Sequence, residues 1–219
     1  MKIALDGPAG AGKSTVAKAL AKKLNIMYLD TGAMYRGVAL HMLNENVALN
    51  DSEGVIKALE NIDFLVKYED GVQKIYLNGE DVSAKIRENR ISAAASDFSA
   101  LKPIRLFLVE MQRKTANEND CILDGRDIGT YVLPDADFKF YLTADSLERA
   151  KRRVKELAEK GEIVELEKIK AEIERRDYND SHREFAPLRQ AEDAILVDST
   201  NMTAQEVEDF IAGIIKAGK

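Results

Sequence analysis

Short apolar runs and helical patterns alternate along this chain. Five of the runs stand at Ile3 to Leu5, Ile26 to Leu29, Cys121 to Leu123, Phe138 to Leu142 and Ala194 to Val197. Continuous apolar runs of this length are typical of strands that are buried on both faces. The alternation therefore predicts an α/β fold built on a parallel sheet.

Residues 62–83 interrupt this alternation. Their apolar runs and turn signals follow one another in the order Phe64 to Tyr68, Glu69-Asp70-Gly71, Ile75 to Leu77, Asn78-Gly79 and Asp81 to Ser83. Short runs separated by Asp-Gly and Asn-Gly dipeptides indicate antiparallel hairpins. We expect a small antiparallel insertion between helices of the core.

The stretch from Arg149 to Glu174 is dense in charge and is interrupted at Gly161. This pattern predicts two polar helices that meet at a mobile turn. Two interpretations are open at this point. The hairpin is either a solvated surface feature or a lid that carries arginines over bound phosphates.

A glycine-rich segment joins the first apolar run to the first helical pattern. It consists of Gly7, Pro8, Ala9, Gly10, Ala11, Gly12, Lys13, Ser14 and Thr15. In such a loop backbone N–H groups can close around a polyphosphate, and the helix N-terminus favours negative charge. Lys13 can reach the β- and γ-phosphates, and Ser14 can ligate Mg²⁺. The spacing and the flanking strand and helix predict a nucleoside triphosphate site rather than a plain tight turn.

Composition narrows the class of protein. A chain of 219 residues is long enough for one large domain or for one core with insertions. Its formal net charge of −6 argues against a broad nucleic-acid or membrane surface, so an anionic ligand must meet a local basic cluster. The single cysteine, Cys121, excludes internal disulfides, favours the cytoplasm and fits a buried core position. We expect no leader segment and no membrane span.

Three further segments combine arginines with carboxylates. They are Asp30 to Arg36, Asp124 to Asp127 and Arg175 to Arg183. The first two follow predicted strands, at the edge of the sheet where ligands of open α/β folds bind. Guanidinium groups suit phosphate through paired hydrogen bonds, while carboxylates can accept hydrogen bonds from sugar hydroxyls or a base amino group. Together the three segments predict a second anionic ligand beside the triphosphate.

The glycine loop, these segments and the final Ala186-Pro187-Leu188 resemble the bacterial cytidylate kinases, which are nucleoside monophosphate kinases. The resemblance runs essentially from end to end. It implies a P-loop, three-layer α/β fold with a five-stranded parallel sheet, a small antiparallel β insertion and a short helical lid. The expected boundaries are a core at 1–60, 98–148 and 179–219, a monophosphate-binding insertion at 61–97 and a lid at 149–178. The implied reaction is transfer of the ATP γ-phosphoryl group to CMP or dCMP with Mg²⁺.

The resemblance also implies roles for individual residues at the acceptor. It assigns Thr31, Arg105, Asp127 and Arg183 to the cytosine ring, Ser96, Arg176 and Asp180 to the sugar, and Arg36 and Arg126 to the acceptor phosphate, with help from Arg176 or Arg183. A carboxylate at Asp127 accepts a hydrogen bond from the cytosine amino group but repels the uracil carbonyl, which favours CMP over UMP. Two alternatives to these roles stay open. In one, Ser96 is only a tolerated small residue of an alanine-rich helix. In the other, Arg105 is merely solvated.

Phosphoryl transfer needs positioning and charge neutralisation more than covalent chemistry. We expect Lys13, Arg126 and the lid arginines Arg149, Arg152 and Arg153 to bear the charge of the transferred group. Asp124 is expected either to order the waters of Mg²⁺ or to clamp Arg126. Neither a nucleophilic residue nor a strong general base is required.

Two other functions share part of this pattern. One is a P-loop kinase for another small acceptor, such as UMP, AMP or a metabolite. The other is an ATP-binding switch that signals to a protein partner. A switch does not need arginines and carboxylates around a second ligand, so the kinase is favoured. We expect a monomer whose partners are small nucleotides, with no nucleic acid and no membrane.

Overall fold

A computed structural model describes residues 1–69, 71–159 and 161–218 of the chain. The strands are β1 (Lys2–Asp6), β2 (Met27–Asp30), β3 (Phe64–Glu69), β4 (Val72–Leu77), β5 (Glu80–Asp81), β6 (Cys121–Gly125), β7 (Phe138–Thr143) and β8 (Ile195–Asp198). The helices are α1 (Lys13–Leu24), α2 (Thr31–Asn44), α3 (Ser52–Glu60), α4 (Asn89–Phe98), α5 (Lys102–Glu118), α6 (Ser146–Glu159), α7 (Leu166–His182) and α8 (Ala204–Ala217). A 3₁₀ turn covers Lys85–Arg87, and a π-helical turn covers Ile128–Val132.

Five strands form a parallel sheet in the order β2-β6-β1-β7-β8. Each of the five apolar runs found in the sequence lies within one of these strands or extends beyond it by a single residue, so the predicted α/β sheet is confirmed. Apolar side chains from β1, β6 and β7 pack with those of α1 and α8 in one core. The central position of β1 places its carboxyl end, and the glycine loop that follows, beside β6 and β7.

The chain divides into two compact units. The first contains Met1–Tyr28 and the chain from Asp120 onward, and the second contains Leu29–Asn119. The second unit holds an antiparallel sheet of β3, β4 and β5, so the predicted insertion is confirmed. Its hairpin at Asn78 and Gly79 has positive φ at both residues, 50° and 84°, as a two-residue type I′ turn requires. The other predicted turn is Glu69-Asp70-Gly71, and its Asp70 lies outside the described residues.

The charged stretch of the first unit folds into α6 and α7. The two helices share a small apolar core of Ala150, Leu157, Ile169 and Ile173. Gly161 lies after α6 with φ of 82°, a left-handed conformation that glycine adopts readily. The predicted helical hairpin is confirmed, and we call it the α6–α7 hairpin. Within the described ranges, no helix combines the length and the apolar character needed to cross a membrane.

Candidate active site

The glycine loop has a conformation that only glycine can adopt at its first position. Gly7 has φ of 149°, and a Cβ atom there would stand 1.9 Å from the carbonyl oxygen of Leu142. Gly10 and Gly12 also have positive φ, and Gly12 is the N-cap of α1. Among the described residues no side chain caps this helix. Its first-turn N–H groups therefore point into the loop, where they can bind an anion.

Lys13 is folded back over this loop. Its Nζ donates to the carbonyl oxygen of Pro8 at 2.7 Å, and the residue is only 6 % exposed. Burial and, to a smaller extent, the nearby Arg126 guanidinium lower the pKa of Lys13 to about 7, although Asp124 and Asp6 oppose this effect. A polyphosphate in the loop would restore the full charge of Lys13 because it supplies close negative oxygens.

Asp124, near the carboxyl end of β6, is buried and accepts two hydrogen bonds from hydroxyl groups. Ser14 Oγ lies 2.8 Å from its Oδ2, and the Tyr28 hydroxyl lies 2.9 Å from its Oδ1. A hydroxyl and a carboxylate are hard oxygen donors of the kind that Mg²⁺ prefers. Ser14 and Asp124 therefore fit the ion that the loop motif implies. Tyr28 was not predicted from the sequence, although it lies in the second apolar run.

A buried network of arginines and carboxylates follows β6 and continues on α7. Arg126 Nε donates to Asp180 Oδ2 at 2.8 Å, and Arg183 donates to Asp127 Oδ1 at 3.3 Å. Arg183 also lies 3.8 Å from Asp180. Burial alone would raise the pKa of Asp180, but the guanidinium groups of Arg126 and Arg183 bring it below its usual range. The structure thus brings together four of the predicted acceptor residues.

Arg176 joins this network with an incomplete set of partners. Its Nε atom is buried and has no hydrogen-bond partner among the described residues. Burial and the adjacent positive charge of Arg126 lower the pKa of Arg176. A buried guanidinium N–H without an acceptor is costly, so this position is suited to an anionic or hydroxyl-bearing ligand.

The arginines of α6 have different neighbours from one another. Arg149 is buried and donates to the carbonyl oxygens of Ala9 and Ala144 and to the carboxylate of Asp177. Asp177 in turn accepts the N–H of Ala9 at 3.0 Å. Arg149, which was expected over the phosphates, is thus tied to the backbone of the glycine loop. Nothing in the sequence indicated this role of Asp177 apart from its position in the third charged segment.

The other two arginines of α6 lie nearer the surface. Arg152 donates to the carbonyl oxygen of Ser199 at 2.6 Å and to its hydroxyl at 3.2 Å. Arg153 pairs with Glu156, one turn away on the same helix, at 2.7 Å. Their expected part in catalysis stays a prediction.

In the second unit, Asp30 organises the start of α2. Its carboxylate accepts the N–H of Ala33 at 2.7 Å and lies 3.4 Å from Arg36. The side-chain amide of Gln73, on β4, accepts the N–H of Asp30 at 2.7 Å and donates to its carbonyl oxygen at 3.1 Å. The insertion therefore holds the backbone immediately before Thr31, which is itself buried. This role of Gln73 was not predicted, because the sequence around a polar residue on a strand does not indicate which residue it contacts.

Arg105 is among the most buried side chains of the second unit. It is 1 % exposed, it donates to the carbonyl oxygen of Ser99 at 3.1 Å, and its guanidinium carbon lies 5.3 Å from the centre of the Tyr35 ring. The alternative of a merely solvated Arg105 is therefore wrong. Ser96 lies half-buried on α4, and its carbonyl oxygen accepts from the Ser99 hydroxyl.

Comparisons with known proteins agree with one another. The family model described as cytidylate kinase matches residues 3–217. A cytidylate kinase of Caldicellulosiruptor saccharolyticus is 53% identical over 94% of this chain and 92% of its own length. The cytidylate kinase of Carboxydothermus hydrogenoformans is 50% identical over 98% of this chain and 97% of its own length.

Solved structures support the fold. An uncharacterized protein from Eubacterium ventriosum has a TM-score of 0.55 at 14% identity, covering 99% of this chain and 98% of that one. Shikimate kinase from Bacteroides thetaiotaomicron has a TM-score of 0.50 at 13% identity over the same shares of the two chains. Taken with the match to the family model over nearly the whole sequence, the comparisons show that this chain belongs to the cytidylate kinase family.

Proposed function

We propose that this protein transfers the γ-phosphoryl group of ATP to CMP and dCMP by direct in-line transfer, giving ADP with CDP or dCDP. The observation that carries the proposal is membership of the cytidylate kinase family over residues 3–217. Relatives named cytidylate kinase share about half of the residues over almost the full length. The family implies ATP as the phosphoryl donor and nucleotides as partners.

The glycine loop binds the donor. Its N–H groups and the N-terminus of α1 bind the β-phosphate, and Lys13 moves from the Pro8 carbonyl to the phosphate oxygens. Ser14 would hold Mg²⁺ directly and Asp124 through water. Mg²⁺, when bound, neutralises charge on the β- and γ-phosphoryl oxygens. This assignment is supported by the 2.8 Å separation of the Ser14 and Asp124 oxygens.

We assign nine residues to the acceptor. They are Thr31, Arg36, Ser96, Arg105, Arg126, Asp127, Arg176, Asp180 and Arg183. Asp127 accepts a hydrogen bond from the cytosine amino group, and Arg126 and Arg36 bind the monophosphate. The unpartnered Nε of Arg176 supports a ligand contact at this position.

The reaction itself needs little from the protein beyond positioning. The acceptor phosphate already carries anionic oxygens at neutral pH, so no strong base is needed. Lys13, Arg126, Arg152 and Arg153 stabilise the charge that spreads over the transferred group. Closure of the α6–α7 hairpin excludes water and so suppresses ATP hydrolysis. We further propose that the enzyme acts as a monomer in the cytoplasm.

The test is ADP formation from ATP and Mg²⁺ with CMP, dCMP, UMP and AMP supplied separately. We expect rapid turnover with the two cytidine nucleotides. Asp127→Ala should lower kcat/KM for CMP by about 100-fold while changing that for UMP much less, because the lost hydrogen bond is specific to the cytosine amino group. Turnover with none of the four acceptors would overturn the proposal. Turnover confined to UMP or AMP would replace it with a different kinase activity.

A further inference from the structure

Asp6 is the last residue of β1 and immediately precedes the glycine loop. It is 5 % exposed, and its two carboxylate oxygens accept different backbone N–H groups. Oδ1 accepts from Ile128 at 2.8 Å, and Oδ2 accepts from Gly129 at 2.7 Å. These partners lie 122 and 123 residues further along the chain. Neither the donor loop nor the acceptor residues described above include Asp6.

The two N–H groups follow directly after Asp127, whose carbonyl oxygen is also engaged. It accepts from Tyr131 at 2.9 Å and from Val132 at 3.1 Å. Both polar groups of the peptide between Asp127 and Ile128 are therefore held, the N–H by Asp6 and the carbonyl oxygen by the π-helical turn. The direction in which its carboxylate points depends on the segment that Asp6 holds.

The contact between Asp6 and Gly129 is closely packed. A Cβ atom at Gly129 would stand 3.4 Å from Asp6 Oδ2 and 3.2 Å from the Lys139 side chain. A side chain at residue 129 would thus touch the carboxylate and press on the Lys139 side chain. On the other side, Gly7 lies so near β7 that a Cβ atom there would stand 1.9 Å from the carbonyl oxygen of Leu142. Asp6 therefore joins two closely packed segments.

From this geometry we propose that Asp6 is a positioning residue that sets the Asp127 carboxylate against the donor loop and thereby determines discrimination between acceptor bases. The inference rests on the proposed function, because it assigns the base contact to Asp127. Asp6 does not touch either nucleotide. It acts through the N–H groups of Ile128 and Gly129, and its loss displaces Asp127 while leaving the loop that binds ATP in place.

The first test is Asp6→Asn, in which an NH₂ group faces one of the two backbone N–H groups. We expect kcat/KM for CMP to fall about 10- to 100-fold, since a buried N–H loses its acceptor and Asp127 shifts. The ratio of kcat/KM for CMP to that for UMP should fall at least about tenfold, while KM for ATP changes less than about twofold. Asp198→Asn is the matched control, because Asp198 also accepts a backbone N–H at a strand end, from Thr200 at 2.9 Å. It should leave the ratio unchanged.

A double-variant cycle separates positioning from general destabilisation. In an Asp127→Ala background, Asp6→Asn should no longer change the CMP-to-UMP ratio, because the group through which it acts is gone. Gly129→Ala, which crowds the Lys139 side chain and brings a Cβ atom into contact with the Asp6 carboxylate without removing it, should lower the ratio in the wild-type background. This second variant keeps the test decisive if Asp6→Asn fails to fold.

Amide hydrogen exchange provides a readout that does not depend on activity. Asp6→Asn should raise the exchange rates of the Ile128 and Gly129 amides, while Asp198→Asn should not. Faster exchange at these amides with an unchanged CMP-to-UMP ratio would overturn the positioning role, as would equal effects of Asp6→Asn with and without Asp127. A wild-type enzyme that phosphorylates neither CMP nor dCMP would instead overturn the proposed function, and the positioning role of Asp6 with it.

Discussion

Two segments of this protein, Asp124 to Asp127 and Asp30 to Arg36, are held in place by opposite chemical means. Both follow strands and both contain proposed acceptor residues. The first is held at its end by the buried carboxylate of Asp6, which accepts the N–H groups of the next two residues, Ile128 and Gly129. The second is held by the neutral amide of Gln73, which accepts one N–H and donates to one carbonyl. A backbone segment of a binding site can thus be fixed by a buried charge or by an uncharged group, with different sensitivities to pH and substitution.

The arginines of the two segments also differ in how tightly carboxylates hold them. Arg126 belongs to a buried network in which Asp180 serves both Arg126 and Arg183. Arg36 has a longer contact, 3.4 Å, with Asp30. Removal of Arg126 leaves a buried carboxylate short of a partner, whereas removal of Arg36 leaves Asp30 still bound to the N–H of Ala33. The first segment should therefore tolerate substitution less well than the second.

The largest effect should come from Arg126→Ala. We expect kcat to fall about 1,000-fold, because the variant loses a charge at the transferred group and disturbs Asp180. Arg36→Ala should cost about 10- to 100-fold, mainly in KM for CMP. Steady-state kinetics with both substrates varied measures the loss in each variant. The control is Arg90→Ala, at an exposed arginine that pairs with Glu88. Equal losses in Arg126→Ala and Arg36→Ala would remove the distinction between the segments.

An intermediate effect concerns the dependence of stability on pH. Burial raises the pKa of Asp6 from its ordinary value of 3.8 to about 6, although the N–H groups of Gly129 and Ile128 oppose the rise. The folded protein therefore keeps the Asp6 proton to a higher pH than the unfolded chain does. The contribution of Asp6 to stability is largest below about pH 4 and declines as pH rises to about 6, by at most about 3 kcal/mol.

Urea unfolding between pH 4 and pH 7 checks this expectation. Asp6→Asn should remove the decline, so its free energy of unfolding should change less over this range than that of the wild type. Asp198 provides a control of opposite sign, because hydrogen bonds from Thr200 lower the pKa of its carboxyl. The contribution of Asp198 is lost as pH falls, and Asp198→Asn should remove that loss. Parallel profiles for wild type and Asp6→Asn would contradict the buried-charge description.

The smallest effect should come from Gln73. Gln73→Ala should raise KM for CMP about three- to tenfold with kcat nearly unchanged, since the segment before Thr31 loses two neutral hydrogen bonds. Gln73→Glu should be worse, because a carboxylate would face the carbonyl oxygen of Asp30. Gln190→Ala is a suitable control, since this exposed amide also donates to a backbone carbonyl, that of Ala194. A change in kcat rather than in KM would show that Gln73 acts elsewhere.

The fold was largely readable from the sequence because its signals are local. A strand buried on both faces must be continuously apolar, as Cys121 to Leu123 is, and a hairpin with two positive φ angles favours Asn78-Gly79. The chemistry of the glycine loop was readable for the same reason. Its motif is contiguous, and each residue type has a physical reason at its position.

Other features depend on contacts between residues that are far apart in the sequence. Nothing near Asp6 reveals that its partners are Ile128 and Gly129, and nothing near Arg149 reveals Ala9. Arg105 illustrates a different difficulty. It lies on the same face of α5 as the buried Leu108 and Gln112, but a charged residue is ordinarily expected in solvent. The carbonyl of Ser99 and the ring of Tyr35, neither of which the sequence around Arg105 indicates as a partner, contribute to its burial.

The tie between the α6–α7 hairpin and the glycine loop has a consequence for protein engineering. Both backbone polar groups of Ala9 are engaged by the hairpin, the carbonyl oxygen by Arg149 and the N–H by Asp177. The hairpin is therefore not an interchangeable module. A chimera that takes this hairpin from another kinase must import an arginine and a carboxylate at these two positions, or its phosphate-binding loop will lose the shape that its own glycines allow.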